Sequence, residues 1–161
     1  KSNGVIHVID RTLVPPVDDV VDMLDKLTQS EKGADFTTLA TLLAGYPDIA
    51  NALKGEDNIT LFAPTNAAFA AISDLIGDLS DDQIKEVLQY HVAGARQFRE
   101  NLQQGQDIIM LNGQTLTVEA IIDDAIFLKD KSSVDALLLE VNIQGSNGVV
   151  HAVDKVLIPN L

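Results

Sequence analysis

Imidazole and carboxylate side chains are the only groups in this sequence that could do metal or acid–base chemistry at neutral pH. The imidazoles are His7, His91 and His151, and there is no cysteine to join them. A metal centre would therefore need carboxylates, of which Asp154, three residues after His151, is the nearest candidate. No catalytic framework accompanies them. The sequence holds no G-x-S-x-G elbow, no G-x-x-x-x-G-K phosphate loop, no H-E-x-x-H and no G-x-G-x-x-G opening a helix. We expect no enzyme, no cofactor and no metal; the enzyme-class alternative is a metal-assisted hydrolase using His91, His151 and a nearby Asp.

The same residues also admit plain structural readings. His151 stands among Val149, Val150 and Val153, a setting in which its ring nitrogens would be satisfied by backbone or by a carboxylate. Asp154 either caps a turn or pairs with a cation. Tyr90 and His91 close a predicted helix, where the dipole favours a cationic imidazole and a tyrosine hydroxyl can reach a partner. The pair reads as core or, alternatively, as a binding contact. The acidic pairs Asp18-Asp19, Asp81-Asp82 and Asp123-Asp124 suit solvated helix starts and turns rather than acid–base catalysis. Asn58-Ile59-Thr60 is a glycosylation sequon, meaningful if the source is a secreting eukaryote.

These residues must be held by elements that the apolar pattern defines. Val17, Val20, Val21, Leu24 and Leu27 recur at helical spacing. A second helix runs through Phe36, Leu39, Leu42 and Leu43 with Asp35 as its cap, and a third covers Ile49 to Leu53. Ile59 to Ala63 predicts a strand that turns at Pro64, Thr65 and Asn66 into an alanine-rich helix over Ala67 to Ile72, capped by Thr65 or Asn66. Ser80 and Gln83 form a capping box before a helix ending near Tyr90. Beyond residue 105, Asn112-Gly113 predicts a two-residue hairpin, with further strands at Ala125 to Lys129, Ala136 to Asn142 and Gly148 to Leu157. Helices followed by strands indicate an α+β fold.

Composition narrows the partners. The 161 residues are 46% hydrophobic, enough for one real core, with Leu, Ile, Val and Ala supplying it since aromatics are only 4%. Eleven Lys and Arg against 24 Asp and Glu give a net charge of −13, which repels nucleic acid and anionic lipid. No apolar run reaches the length of about 18 residues that spans a bilayer. The lack of cysteine leaves the redox compartment open. Since Lys1 begins inside a motif, we expect any targeting or anchoring segment to lie outside this sequence.

That opening motif is duplicated. Ser2, Asn3, Gly4, Val5, His7, Asp10, Leu13 and Pro15 recur as Ser146, Asn147, Gly148, Val149, His151, Asp154, Leu157 and Pro159. Their separation far exceeds the roughly 20 to 50 residues of a solenoid repeat, so the repeating unit is a whole domain. The expected organisation is the tail of a preceding repeat over 1–16 and a complete domain over 17–161.

Taken in order, three landmarks make the sequence similar to the fasciclin domain family over nearly all of 17–161. Thr60 to Phe69, which includes Phe62, Pro64, Thr65 and Asn66, resembles that family's first signature box. Tyr90-His91 resembles its tyrosine–histidine pair, and Ser146 to Pro159, with Asn147, Gly148, His151 and Asp154, resembles its second box. The resemblance implies helices packed against a compact β-sandwich or wedge, tandem copies, and noncatalytic adhesion outside the cell or on its surface. The implied partners are an extracellular protein or glycan, or another fasciclin domain, without nucleic-acid binding or membrane insertion. The alternative is a purely structural spacer. In some animal matrix members, integrin binding is attributed to the tyrosine–histidine region and to an Asp-Ile pair before the second box. Here Asn142-Ile143 stands there, without the carboxylate that an integrin metal ion requires.

If His151 is a structural residue, His151→Ala should lower stability by roughly 1 to 3 kcal/mol by leaving a buried group unpaired. An unchanged urea midpoint would refute that role.

Overall fold

A computed structural model of the chain describes residues 18–28, 36–123 and 125–161. The duplicated segment at 1–16, His7, Asp35 and Asp124 lie outside the described residues. The helices begin where local chemistry satisfies free backbone N–H groups. Helix α1 (Val20–Thr28) starts after Asp19, whose Oδ1 accepts from the N–H groups of Val21 and Asp22 at 2.9 Å each. Helix α2 (Thr37–Gly45) leads into α3 (Pro47–Gly55), which begins with Pro47 at a position where the missing N–H costs nothing. Val20, Leu24, Leu39, Leu43, Ile49 and Leu53 are the buried stripe of this layer.

Strand β1 (Ile59–Pro64) then runs into α4 (Asn66–Ala71). Thr65 is the cap there, accepting from the N–H of Ala68 at 3.3 Å. Asn66 serves a different helix: its Oδ1 accepts from the N–H of Thr38 at 2.9 Å in the first turn of α2. The alanine-rich helix does not run on. Ile72 takes φ −124° and ψ 21°, and a separate α5 (Ser73–Asp78) follows, which the sequence pattern does not announce. Helix α6 (Asp81–Tyr90) opens with the Ser80–Gln83 capping box in place.

The remaining strands are β2 (Val92–Ala93), β3 (Asp107–Ile109), β4 (Thr115–Ile122), β5 (Ala125–Lys129), β6 (Ala136–Gln144) and β7 (Gly148–Val153). Among the described residues they form one sheet in the order β2-β1-β7-β6-β5-β4-β3, in which only β1 and β7 run parallel. A bridge between Ala93 and Met110 brings the two ends of the sheet together, so it curls on itself as a wedge. This is an α+β fold with helices against a compact sheet, as the sequence predicts. The Asn112-Gly113 hairpin departs from expectation. The last bonded pair is Met110 with Gln114, whose carbonyl accepts from the Met110 N–H at 2.9 Å, leaving a three-residue connection, Leu111 to Gly113, in which only Gly113 has positive φ, at 79°. Leu111 does not close a tighter turn because it is bonded elsewhere: beside the Ala93–Met110 bridge, its N–H donates to the Val92 carbonyl at 2.8 Å.

Two cores lie on either side of the central strands. Ile59, Leu61, Ala63, Val150 and Ala152 face the helices. Phe62 and Val153 instead join Leu116, Val118, Ile126 and Leu128 inside the curled sheet. All six residues of β1 and all six of β7 are buried, as expected of parallel strands covered on both faces.

Gly148 permits this pairing at its first rung. A Cβ there would lie 2.4 Å from the Ile59 carbonyl oxygen and 2.8 Å from Ile59 Cγ1. Gly148→Ala should therefore cost about 3 kcal/mol or more, because backbone on the facing strand cannot yield. Equilibrium urea unfolding checks this, and a midpoint equal to that of the unaltered chain would show that β1 can shift.

Candidate functional site

Parallel register sets Phe62 opposite His151 and Thr60 opposite Val149, which interlocks the two boxes. The Phe62 and His151 rings are 5.7 Å apart between centroids and tilted by 30°. On the same face, the Thr60 hydroxyl donates to the Ala95 carbonyl at 2.8 Å and accepts from the N–H of Gln97 at 2.7 Å. His151 Nε2 donates to the Gln97 carbonyl at 2.6 Å. Both boxes thus hold one loop, the segment that follows β2. Burial lowers the His151 pKa from its ordinary value, against a smaller upward effect of the Gln97 carbonyl, so the ring is neutral at pH 7.

Asn147 does comparable work toward the helices. Its Oδ1 accepts from the N–H of Val20 at 2.9 Å, and its Nδ2 donates to the carbonyls of Leu53 at 2.7 Å and Glu56 at 3.1 Å. One buried amide therefore ties the start of α1 and the end of α3 to the start of β7. Asp154 Oδ1 accepts from the N–H of Leu137 in β6 at 2.8 Å, a bond across the sheet rather than a cap on its own turn. Phe69 packs in the helical core, and Pro159 is buried near the C-terminus. Pro64 ends β1 opposite Val153.

Tyr90 is 0% exposed and His91 1%. The Tyr90 hydroxyl donates to the Thr115 carbonyl at 2.8 Å. Burial pushes its pKa up to about 12, with the charge of Asp130 adding to the effect. His91 Nδ1 donates to the Val87 carbonyl at 2.7 Å, and Nε2 accepts from the N–H of Leu157 at 2.9 Å. This assigns the neutral tautomer with the proton on Nδ1. The dipole-favoured imidazolium expected from the helix end is not what the site holds. Desolvation lowers the His91 pKa to about 4, outweighing the Val87 carbonyl and Asp130, which favour the charged form. Neither side chain is presented at the surface, and the two nitrogens of His91 are both committed, leaving no lone pair for a metal. Among the described residues, no group of three His, Asp or Glu side chains is placed to hold a metal ion.

Sequence reasoning missed Asp130, a buried carboxylate. Its Oδ1 accepts from the N–H and hydroxyl of Ser132 at 2.7 and 2.5 Å, and its Oδ2 accepts from the N–H of Ile158 at 2.7 Å. The Asp-x-Ser spacing is an Asx-turn signal that could have marked the turn, though not the long-range bond. Arg96 was also missed: it donates through Nη2 to the Ser146 carbonyl at 3.2 Å while its buried Nε has no partner. Asn58, the sequon residue, is exposed with φ 63°. Ile143 is half-buried in β6, whereas the side chain of Asn142 lies outside the described residues.

A family model described as the fasciclin domain matches residues 34–159. The chain is 31% identical to Protein sll1483 of Synechocystis, over 83% of this chain and 74% of that protein. It is 30% identical to human periostin, over 99% of this chain but 18% of periostin. A solved pair of fasciclin domains from the insect cell adhesion molecule Fasciclin I superposes with a TM-score of 0.53 at 21% identity, over 84% of this chain and 44% of that one. The chain thus spans most of the bacterial relative's length and a small part of periostin.

The depressed pKa of His91 has a consequence for stability. The unfolded chain takes up a proton near pH 6.5 that the folded chain refuses until about pH 4. Stability should therefore be fully present above pH 6.5 and fall as the pH drops toward 4, by roughly 3 kcal/mol from this residue, with His151 acting in the same direction. Urea midpoints at pH 7 and pH 5 test this window above the range of ordinary carboxylates. The drop should shrink in His91→Gln, and an identical drop in that variant would remove His91 as the cause.

Proposed function

The chain belongs to the fasciclin domain family, and on that premise we propose that it is a noncatalytic adhesion or interaction module of an extracellular or cell-surface protein. The observation that carries this reading is the internal use of the landmark side chains. Thr60, His91, Asn147, His151 and Asp154 each bond to the protein's own backbone, which leaves them framework roles rather than chemistry. Binding then belongs to the outer surface, where Ile109, Ile122, Val134 and Leu139 are more than half exposed. Tyr90 and His91 contribute to binding by fixing the wall of the curled sheet, not by touching the partner.

We also propose that 1–16 is the tail of a preceding repeat and 17–161 a complete domain within a tandem array. The duplicated closing box supports this, as do relatives such as periostin, much longer than the stretch they share with this chain. No helix among the described residues is long and apolar enough to cross a membrane. The partner is an extracellular protein or glycan, or another such domain, and Asn58 is an accessible acceptor if the source glycosylates.

The test is retention of an extracellular protein or glycan on the immobilised chain, read as a saturable signal that the soluble chain competes away. The same measurement with a second copy of the chain covers homotypic contact. No saturable retention in either arm, with or without neighbouring repeats, would leave the rigid-spacer reading in its place.

A further inference from the structure

Strands β4, β5 and β6 depart from the usual pattern of an antiparallel sheet, apolar side chains turned in and polar ones turned out. Their inner row is ordinary: Val118 pairs with Leu128 and Leu128 with Ala136, all three buried inside the curled sheet. Successive residues of a strand alternate faces, so the next row points outward. It runs Ala120, Phe127, Leu137, with Ala120 brought to this side by the register shift after Val118. Ile122 and Ala125 pair further along the same outer face, and Ile122 is 57% exposed. Leu139, two residues beyond Leu137, is 54% exposed.

Among the described residues, nothing covers this apolar row. The helices pack on β1 and β7, and β4 and β5 contribute no residue to the helical core. The charge of the three strands is small, two Glu and one Lys, and Lys129 Nζ lies 3.6 Å from Glu119 Oε2. The acid of the chain sits elsewhere. Residues 18–90, which form α1 to α6, carry fourteen Asp and Glu against four Lys. That division of charge selects the occupant. A basic partner would be drawn to the helices, whereas the outer face of β4, β5 and β6 is where two copies of this acidic chain can meet with least repulsion.

We propose that this outer face packs against the same face of a second copy of the chain, sheet on sheet about a two-fold axis. An axis lying between the sheets and across the strands sends the acidic turns at 123–124 of the two copies to opposite ends. It also keeps both sets of helices away from the contact. Phe127 and Leu137, half-buried in the single chain, then lie at the centre of the contact, with Ile122 and Leu139 around them. This rests on the interaction-module reading and names a surface and a partner for it.

The test is sedimentation of the full chain over a concentration series. A dimer should form with a Kd below about 1 mM. It should tighten as salt is raised, because screening weakens the repulsion between two acidic copies and leaves the apolar contact in place. The methyl resonances of Ile122, Leu137 and Leu139 should shift with protein concentration, while those of Leu75, exposed on α5, should not. Ile122→Lys should weaken dimerisation at least about tenfold, since the two-fold axis buries the new charge twice. Leu75→Lys makes the same change of charge on the helical side and should leave the dimer intact. If Ile122→Lys does not fold, the methyl shifts of the unaltered chain decide. The proposal fails if the chain sediments as a monomer up to about 1 mM at every salt concentration. It also fails if these methyls stay unmoved, if the two lysine variants behave alike, or if only a partner of another kind shifts the methyls. A chain that stays monomeric yet retains a foreign protein or glycan would sink the second copy while sparing the adhesion reading.

Discussion

The parallel contact between β1 and β7 is the constraint from which most of this structure follows. Every other strand pair among the described residues is antiparallel, and this one joins segments far apart in sequence. Both strands are covered on two faces, so each alternates between the helical core and the inside of the curled sheet. Their register decides which side chains meet: Phe62 meets His151, and the open start of β7 at Gly148 receives the Ile59 carbonyl. A slip of one residue would exchange the two faces and strand the Thr60 hydroxyl and the His151 ring in the helical core.

Such burial explains why the boxes look like chemistry in the sequence and act as framework in the structure. Thr, Asn, His and Asp appear where loops and helix ends must be fastened to the sheet, because each buried backbone group there requires a partner. Asn147 satisfies three such groups with one amide. His91 replaces what would be two separate donor and acceptor residues, bonding a helix carbonyl and a distant N–H through opposite ring atoms. The helix dipole alone would have made it cationic; the cost of desolvation decides otherwise.

The helices, β1, the capping box and the β5 segment were legible in the sequence because their signals are local: apolar period, cap chemistry and strand length. The α5 break, β2 and the true shape of the Asn112-Gly113 connection were not. The last two depend on a contact distant in sequence, the Ala93–Met110 bridge, beside which Leu111 bonds to Val92 instead of closing a tighter turn. Asn66 illustrates the same limit. Its neighbours mark it as a cap for its own helix, yet its carbonyl oxygen reaches a helix nearly thirty residues upstream. For the site, the landmarks identified which residues matter, whereas their depth became visible only with the sheet closed around them. Asp130 carries no landmark, and its bond to Ile158 is set by where the last segment returns.

The central place of β7 has a bearing on how the domain comes into being. The strand inserted between β1 and β6 lies near the C-terminal end of the chain described here. During synthesis, the exposed edge of β1 must wait for it, and the earlier helices have no finished surface to settle on until it arrives. The closing segment is thus also a timing element, committing everything before it to one arrangement at once.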